Sequence, residues 1–285
     1  VLSFPTGGRA PGTIPAPPRA IAQENDMQSY REELDLAVHL AAEAGKAVLP
    51  HFQTVLQVEI KSDNSPVTLA DRKAEELLRT LMGKHTPDYG IIGEEFGGAP
   101  TGKGREWVID PIDGTKAFIH GVPLFGTLLA LLDEGRPVVG VCALPALGHV
   151  LAASAGGGCT LDGASCGVSS AETVEESLLL DGSVTTMERL GYGPRWADLR
   201  KRARLHRGWG DCYGHLLVAV GRAEAMVDPI VSIWDVAPFA VILPEAGGRF
   251  SAFSGNASIT EQSGISTNGR IHEEILAGMR AGVSP

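Results

Sequence analysis

The stretch from Trp107 to Phe118, WVIDPIDGTKAF, constrains the fold of this chain more than any other. Asp110 and Asp113 flank Pro111 and Ile112 at the end of an apolar run that reads as a buried strand. Burying one carboxylate is costly, and a second of the same sign beside it costs more unless positive charge sits between them. The proline fixes its stretch of backbone and Gly114 permits a sharp turn. Both carboxylates and the carbonyl of Ile112 can thereby be turned towards one point. Gly114 and Thr115 then offer backbone N–H groups and a hydroxyl, suited to a phosphate oxygen or a water.

The chain has 285 residues, 44% hydrophobic and 20% charged, enough for a substantial core in one large domain or two smaller ones. Its formal net charge of −10 argues against general nucleic-acid binding, which needs a basic patch or stripe. Cys142, Cys159, Cys166 and Cys212 form no CxxC pair and no regular spacing. They read as buried or free thiols in a reducing compartment, not as a zinc site or disulfide framework. No apolar run reaches the ~18 residues of a membrane-spanning helix, so a cytoplasmic protein without membrane partners is expected. Residues 1–26 are rich in Pro, Gly and Ala, lack periodicity, and read as a flexible tail. They lack the compact apolar core of a secretory signal. Two arginines and few acids before Glu24 leave an organellar (plastid) transit-peptide remnant as the alternative.

From Met27 to about Phe52, Leu34, Ala37, Val38, Ala41, Ala44 and Val48 fall at helical spacing. VLQVEIKSD reads as a strand, and SPVTLADRKAEELLRTLMGKH as a turn and helix capped by Thr68 and Asp71. YGIIGEEFGG is a short apolar run broken at Gly93. After the DPIDGT turn, residues 121–163 read as a meander of strands joined by the DEGRP and PALG turns. Beyond a boundary placed near Ser169, strands and helices alternate more evenly. ESLLLDGSV is a strand, residues 187–207 one helix with basic residues towards its end, and residues 208–229 loop, helix and short strand. SIWDVAPFAVILPEAGGRF is a helix begun near Trp234 that ends at Gly247-Gly248 before a strand. The expected units are thus residues 27–168, an α+β half, and residues 169–285, an α/β half.

Asp71, Glu94, Asp110, Asp113 and Asp235 each lie at the edge of an apolar segment instead of in a charged surface run. Strand ends and helix starts are where side chains from distant sequence positions converge. An all-oxygen cluster suits hard cations, Mg²⁺ above all. Singly, each residue has a plainer reading: turn acids in DPIDG, a helix cap at Asp71, surface charge at Glu94-Glu95, and a dipole-favoured acid at Asp235. Their joint occurrence is what points to a metal.

GEE at Gly93–Glu95, WVIDPIDGT at Trp107–Thr115 and WDVAPFAVILPEAGG at Trp234–Gly248 together resemble the inositol-monophosphatase-like family of magnesium-dependent, lithium-sensitive phosphatases. The similarity runs from about Met27 to the C-terminus. It implies a layered αβαβα sandwich of the inositol monophosphatase/fructose-1,6-bisphosphatase type, two or three Mg²⁺ ions, and a homodimer. Glu94, Asp110, Asp113 and Asp235 match the family's ligating side chains, and Ile112 the position that donates its carbonyl. Asp71 matches an aspartate that pairs with the motif threonine, here Thr115, near the nucleophilic water. With Glu94, these two form the implied catalytic set. The implied reaction is in-line attack of an activated water on a phosphate monoester.

Lys116 followed by GVPLFGT, and GDCYG at Gly210–Gly214, look like the histidinol-phosphate phosphatase branch of that family, which implies a role in histidine biosynthesis. Ser232 stands where inositol enzymes often carry a histidine. A carboxylate on the pocket wall would pair with the ammonium of histidinol phosphate. Asp228 is the first candidate and Asp211 the second, with Gly210, Gly114 and Thr115 completing the expected substrate contacts. An inositol-1-phosphate or broader sugar or nucleotide phosphatase is the alternative, and a transcription-associated binding protein of the same fold is the alternative of another class. The eight histidines show no ligand pattern, with His120 expected at the rim. The run LRKRARLHR reads as a solvated helix face, and Trp107 and Trp234 as core aromatics.

Overall fold

The computed structural model describes residues 30–54, 58–60 and 66–280. The expected tail at residues 1–26 and the ends of the VLQVEIKSD strand lie outside the described residues. The first helix, α1 (Arg31–Val48), buries Ala37, Leu40, Ala41, Ala44 and Val48 along one stripe, with Glu32 and Glu33 in its first turn and Lys46 in its last. A short hairpin of β1 (Val58–Ile60) and β2 (Pro66–Thr68) leads into α2 (Leu69–His85). Thr68 and Asp71 form a capping box at the start of α2, as the sequence implies.

Seven strands follow in chain order: β3 (Gly90–Gly93), β4 (Arg105–Asp113), β5 (Gly126–Asp133), β6 (Arg136–Leu144), β7 (His149–Ser154), β8 (Gly158–Leu161) and β9 (Ala164–Ser165). They form one sheet in that same order, the expected meander, with a short α3 (Thr115–Ile119) between β4 and β5. Only the β3–β4 pair is parallel. The second sheet has the order β11-β10-β12-β14-β13, from β10 (Leu178–Asp181), β11 (Leu205–Arg207), β12 (Ala225–Asp228), β13 (Arg249–Ser251) and β14 (Gly264–Thr267). Its helices are α4 (Val184–Arg189), α5 (Gly193–Arg202), α6 (Asp211–Ala219), α7 (Ile233–Glu245) and α8 (His272–Arg280).

Strand alternation sorts the core into layers. Trp107, Ile109, Leu129 and Leu131 face α1 and α2, whereas Val108, Leu128 and Ala130 join α6, α7 and the inner face of the second sheet at Leu178, Leu180 and Met226. The outer face of that sheet, Leu179, Ala225, Val227 and Ile265, packs on α5 and α8. The result is α1/α2, sheet, α6/α7, sheet, α5/α8: the expected αβαβα sandwich. Because helices cover both faces of the first sheet, β4 is buried almost throughout, its two aspartates included. α7 lies very close to that sheet. A Cβ at Gly140 in β6 would stand 2.3 Å from the carbonyl oxygen of Pro238.

One expected element divides. The basic stretch read as a single helix over residues 187–207 is α4, a turn, α5 and β11. Gly191 takes a left-handed φ of 80°, and Pro194 then restarts the helix at its first turn. The four cysteines are free thiols, and no helix among the described residues is long and apolar enough to cross a membrane.

Candidate active site

The end of β4 is shaped by local hydrogen bonds. Asp110 Oδ1 accepts the N–H of Ile112 at 3.0 Å, and the pairing with β5 shifts register between Asp110 and Asp113. The hydroxyl of Thr127 in β5 donates to the carbonyl of Pro111 at 2.9 Å. Gly114 then turns the chain at a φ of 80°, where a Cβ would press on the carbonyl of Leu124 at 3.0 Å. α7 supplies the third acid: Asp235, in its first turn, accepts the N–H of Ser232 at 2.7 Å. Asp110, Asp113 and Asp235 can bring one carboxylate oxygen each to within 4.8 Å of one another.

Glu94 follows β3 and stands beside Asp110, near enough to Asp71 and Asp235 for their charges to interact. Its loop is held by Glu75, a fully buried acid of α2 that the sequence reading did not single out. Glu75 accepts the N–H groups of Glu95 and Phe96 at 2.7 and 3.2 Å, and Arg79 Nε at 2.8 Å. Gly93 is required beneath it, because a Cβ there would sit 2.0 Å from Glu75 Oε1. The signal available in sequence was an acid four residues after Asp71 on the same helix face, with Arg79 four residues further on.

Charge repulsion runs through the cluster. Burial, then Glu94, Asp113 and Asp235, pushes the Asp110 carboxyl well above its ordinary range. Burial, then Asp211 and Asp235, does the same to Asp113, against the opposing N–H of Cys212. Asp235 is pushed up to about 7, by burial foremost and then by Glu94, Asp228 and Asp211, despite the Ser232 N–H. Such a site is stabilised by a cation. The donors are all carboxylates, the set a hard divalent cation prefers, and Asp71 Oδ1 is buried beside them with no hydrogen-bond partner. The residues therefore fit a metal ion.

Beyond Asp113 and Asp235 opens a cavity of about 60 Å³, also lined by Asp211, Cys212, His215, Asp228, Ile230 and Val231. Asp211 opens α6 with a left-handed φ of 54°, a conformation that costs energy in a non-glycine residue. Gly210 before it packs on Gly182 so tightly that a Cβ would lie 2.3 Å from the Gly182 Cα. Burial, then Asp228, raises Asp211 to about 6, while Lys116 and His215 oppose the rise. His215 stacks on Phe239 with ring centroids 4.7 Å apart, pairs through Nδ1 with Ser266 Oγ at 2.7 Å, and holds Nε2 at 3.5 Å from Asp228. Its place on the wall was not read from the sequence, since nothing local marks a histidine that packs on α7 and β14.

The structure thus gathers Glu94, Asp110, Asp113 and Asp235 into one cluster and sets Asp211 and Asp228 on the adjoining wall. Two expected details differ. Asp71 does not bond Thr115: its Oδ2 takes the N–H and hydroxyl of Thr68, at 2.8 and 2.6 Å, because it sits at the capping position of its own helix. Thr115 instead donates its hydroxyl to the Ile112 carbonyl at 3.0 Å, the oxygen expected to face the metal. His120 is exposed and bonds the carbonyl of Lys116.

A family model described as the inositol monophosphatase family matches residues 29–283. The chain is 44% identical to a histidinol-phosphatase of Chlorobaculum parvum over 253 residues, covering 88% of this chain and 97% of the relative. It is 38% identical to a histidinol-phosphatase of Mycobacterium tuberculosis over 257 residues, covering 88% and 99%. Among solved structures it is similar to the IMPase of Thermotoga maritima, with a TM-score of 0.81 at 32% identity over 87% of this chain and 97% of that one.

Proposed function

Because the chain belongs to the inositol monophosphatase family and is a phosphoric monoester hydrolase, we propose that its substrate is L-histidinol phosphate and its metal Mg²⁺. The observation that carries this reading is the cavity in which the metal-type carboxylates Asp113 and Asp235 adjoin a second acidic wall, Asp211 and Asp228. One end suits a phosphate bound through cations, and the other a cationic amine. The relatives named histidinol-phosphatase support the same choice.

In this reading Asp110, Asp113, Asp235 and Glu94 hold the ions, with the Ile112 carbonyl available once the Thr115 hydroxyl turns away. Mg²⁺, when bound there, screens the phosphoryl oxygens and acidifies water. Glu94 and Asp71 orient the attacking water and take up its proton, Asp71 through the oxygen that has no protein partner. Gly114 and Thr115 face the phosphate. Gly210 and the strained backbone at Asp211 fix that carboxylate against the substrate ammonium, opposite Asp228. His215, wedged between Ser266 and Phe239, keeps Asp228 in place.

The test is phosphate release with Mg²⁺ from L-histidinol phosphate, myo-inositol 1-phosphate and fructose 1,6-bisphosphate. The expected result is a kcat/KM for histidinol phosphate at least about tenfold above the others. Faster turnover of inositol phosphate would overturn the assignment.

A further inference from the structure

The cavity wall carries an apolar lip that neither the metal cluster nor the acidic wall accounts for. Ile230 is 52% exposed, yet it lines the same cavity as Asp113, Asp211 and Asp228. Half-exposed isoleucine beside four carboxylates is an unfavourable neighbour for water and a favourable one for a ligand group with no charge to solvate. The backbone N–H groups flanking it are not available to a ligand. Pro229 has no N–H, the N–H of Val231 is spent on the carbonyl of Gln262 at 3.3 Å, and that of Ser232 on Asp235. Val231 beneath the lip is buried.

We propose that the Pro229-Ile230-Val231 lip is the specificity element for the leaving alcohol, with Ile230 as its contact. It accepts a flat, weakly polar ring and discriminates against a polyol. This rests on the substrate reading above, which places the ammonium on Asp211 and Asp228 and so leaves the imidazole to lie across the cavity mouth. A ring covers the exposed isoleucine and keeps its edge nitrogens in water. A polyol in the same place presses hydroxyl groups against an apolar side chain whose flanking N–H groups are spent, and stripping such a hydroxyl of water is costly. Specificity then comes as much from rejecting the polyol as from holding the ring.

The experiment measures kcat and KM for L-histidinol phosphate and myo-inositol 1-phosphate in the wild type, Ile230→Asn and Ile230→Val. Ile230→Asn is expected to lower kcat/KM for histidinol phosphate about tenfold, chiefly through KM, and to leave inositol phosphate unchanged or improved. Ile230→Val should stay within about threefold of wild type on both. An equal fall on both esters in Ile230→Asn would mark a structural residue and overturn the inference, as would an unchanged preference. The two failures are separable. The substrate reading falls on the wild-type ratio alone, whereas the role of the lip falls on whether that ratio moves with residue 230.

Discussion

Gly140→Ala tests how rigidly α7 carries Asp235, its member of the proposed metal site. The added Cβ would stand 2.3 Å from the Pro238 carbonyl oxygen and 3.0 Å from its carbon, both backbone atoms that no rotamer change can remove. Ordinary contact begins near 3.4 Å, so helix and strand must separate by about 1 Å. Overpacking of this kind costs about 1–3 kcal/mol, less the roughly 0.5 kcal/mol that Ala recovers by restricting the unfolded chain. For a chain of this size the expected fall in Tm is about 5 °C. Asp235 lies one helical turn before Pro238, so a 1 Å retreat of α7 withdraws it from Asp110 and Asp113. That shift exceeds the ~0.2 Å tolerance of metal–ligand distances. Mg²⁺ affinity should therefore fall, and kcat/KM by up to about 10²-fold. Gly83→Ala is the control: it lies in α2 with open space where its Cβ would be, and should gain stability by about 1 kcal/mol. Differential scanning fluorimetry, Mg²⁺ calorimetry and phosphate release read the three effects. A variant that melts lower yet keeps wild-type metal affinity and turnover would refute the rigid coupling of α7 to the site.

Two further outcomes follow from the buried charges. Mg²⁺ at a hundredfold excess over Kd should stabilise the wild type by about 2.7 kcal/mol and raise Tm by several degrees. Asp110→Asn should raise the metal-free Tm by removing a buried like charge and abolish most of the Mg²⁺ shift, and a shift that survives intact would place the ion elsewhere. His272, buried between the hydroxyls of Ser251 and Thr267, is pushed down to about 4 by burial and then by Arg249. Below its ordinary value near 6.5 the unfolded chain binds the proton and the folded one does not. This contribution is therefore complete above about pH 6.5 and is lost as pH falls towards 4, by about 3 kcal/mol at most. Urea unfolding at about pH 7.5 and pH 4.5 should show the wild type losing more stability than His272→Gln, and parallel losses would refute the argument.

The elements that local pattern encodes were legible in the chain itself. The stripe of α1, the capping box of α2, the meander from β5 to β8 and the span of α7 each depend on residues within a few positions of one another. Their layering follows, because β5 is apolar on both faces and needs helices on each. The split of residues 187–207 was missed because Gly191 and Pro194 interrupt an otherwise helical composition at only two positions.

For the site, the sequence determined the chemistry: carboxylates at the ends of apolar segments, an all-oxygen set, and a proline–glycine turn to aim two of them. Tertiary structure alone decided which groups meet. The Cys212 N–H reaches Asp113 across 99 residues, His215 rests on Ser266 across 51, and Glu75 fastens the Glu94 loop across 20. Asp71 and Thr115, in contrast, settle locally: each bonds a residue three positions back, Thr68 and Ile112, and not the other. An Asp71–Thr115 bond is chemically as sound, but the capping box of α2 takes up the Asp71 oxygen first. Periodicity records which face of an element is buried. It carries no record of the distant side chain against which that face is pressed, and the acidic wall, its histidine and the isoleucine lip are products of that meeting.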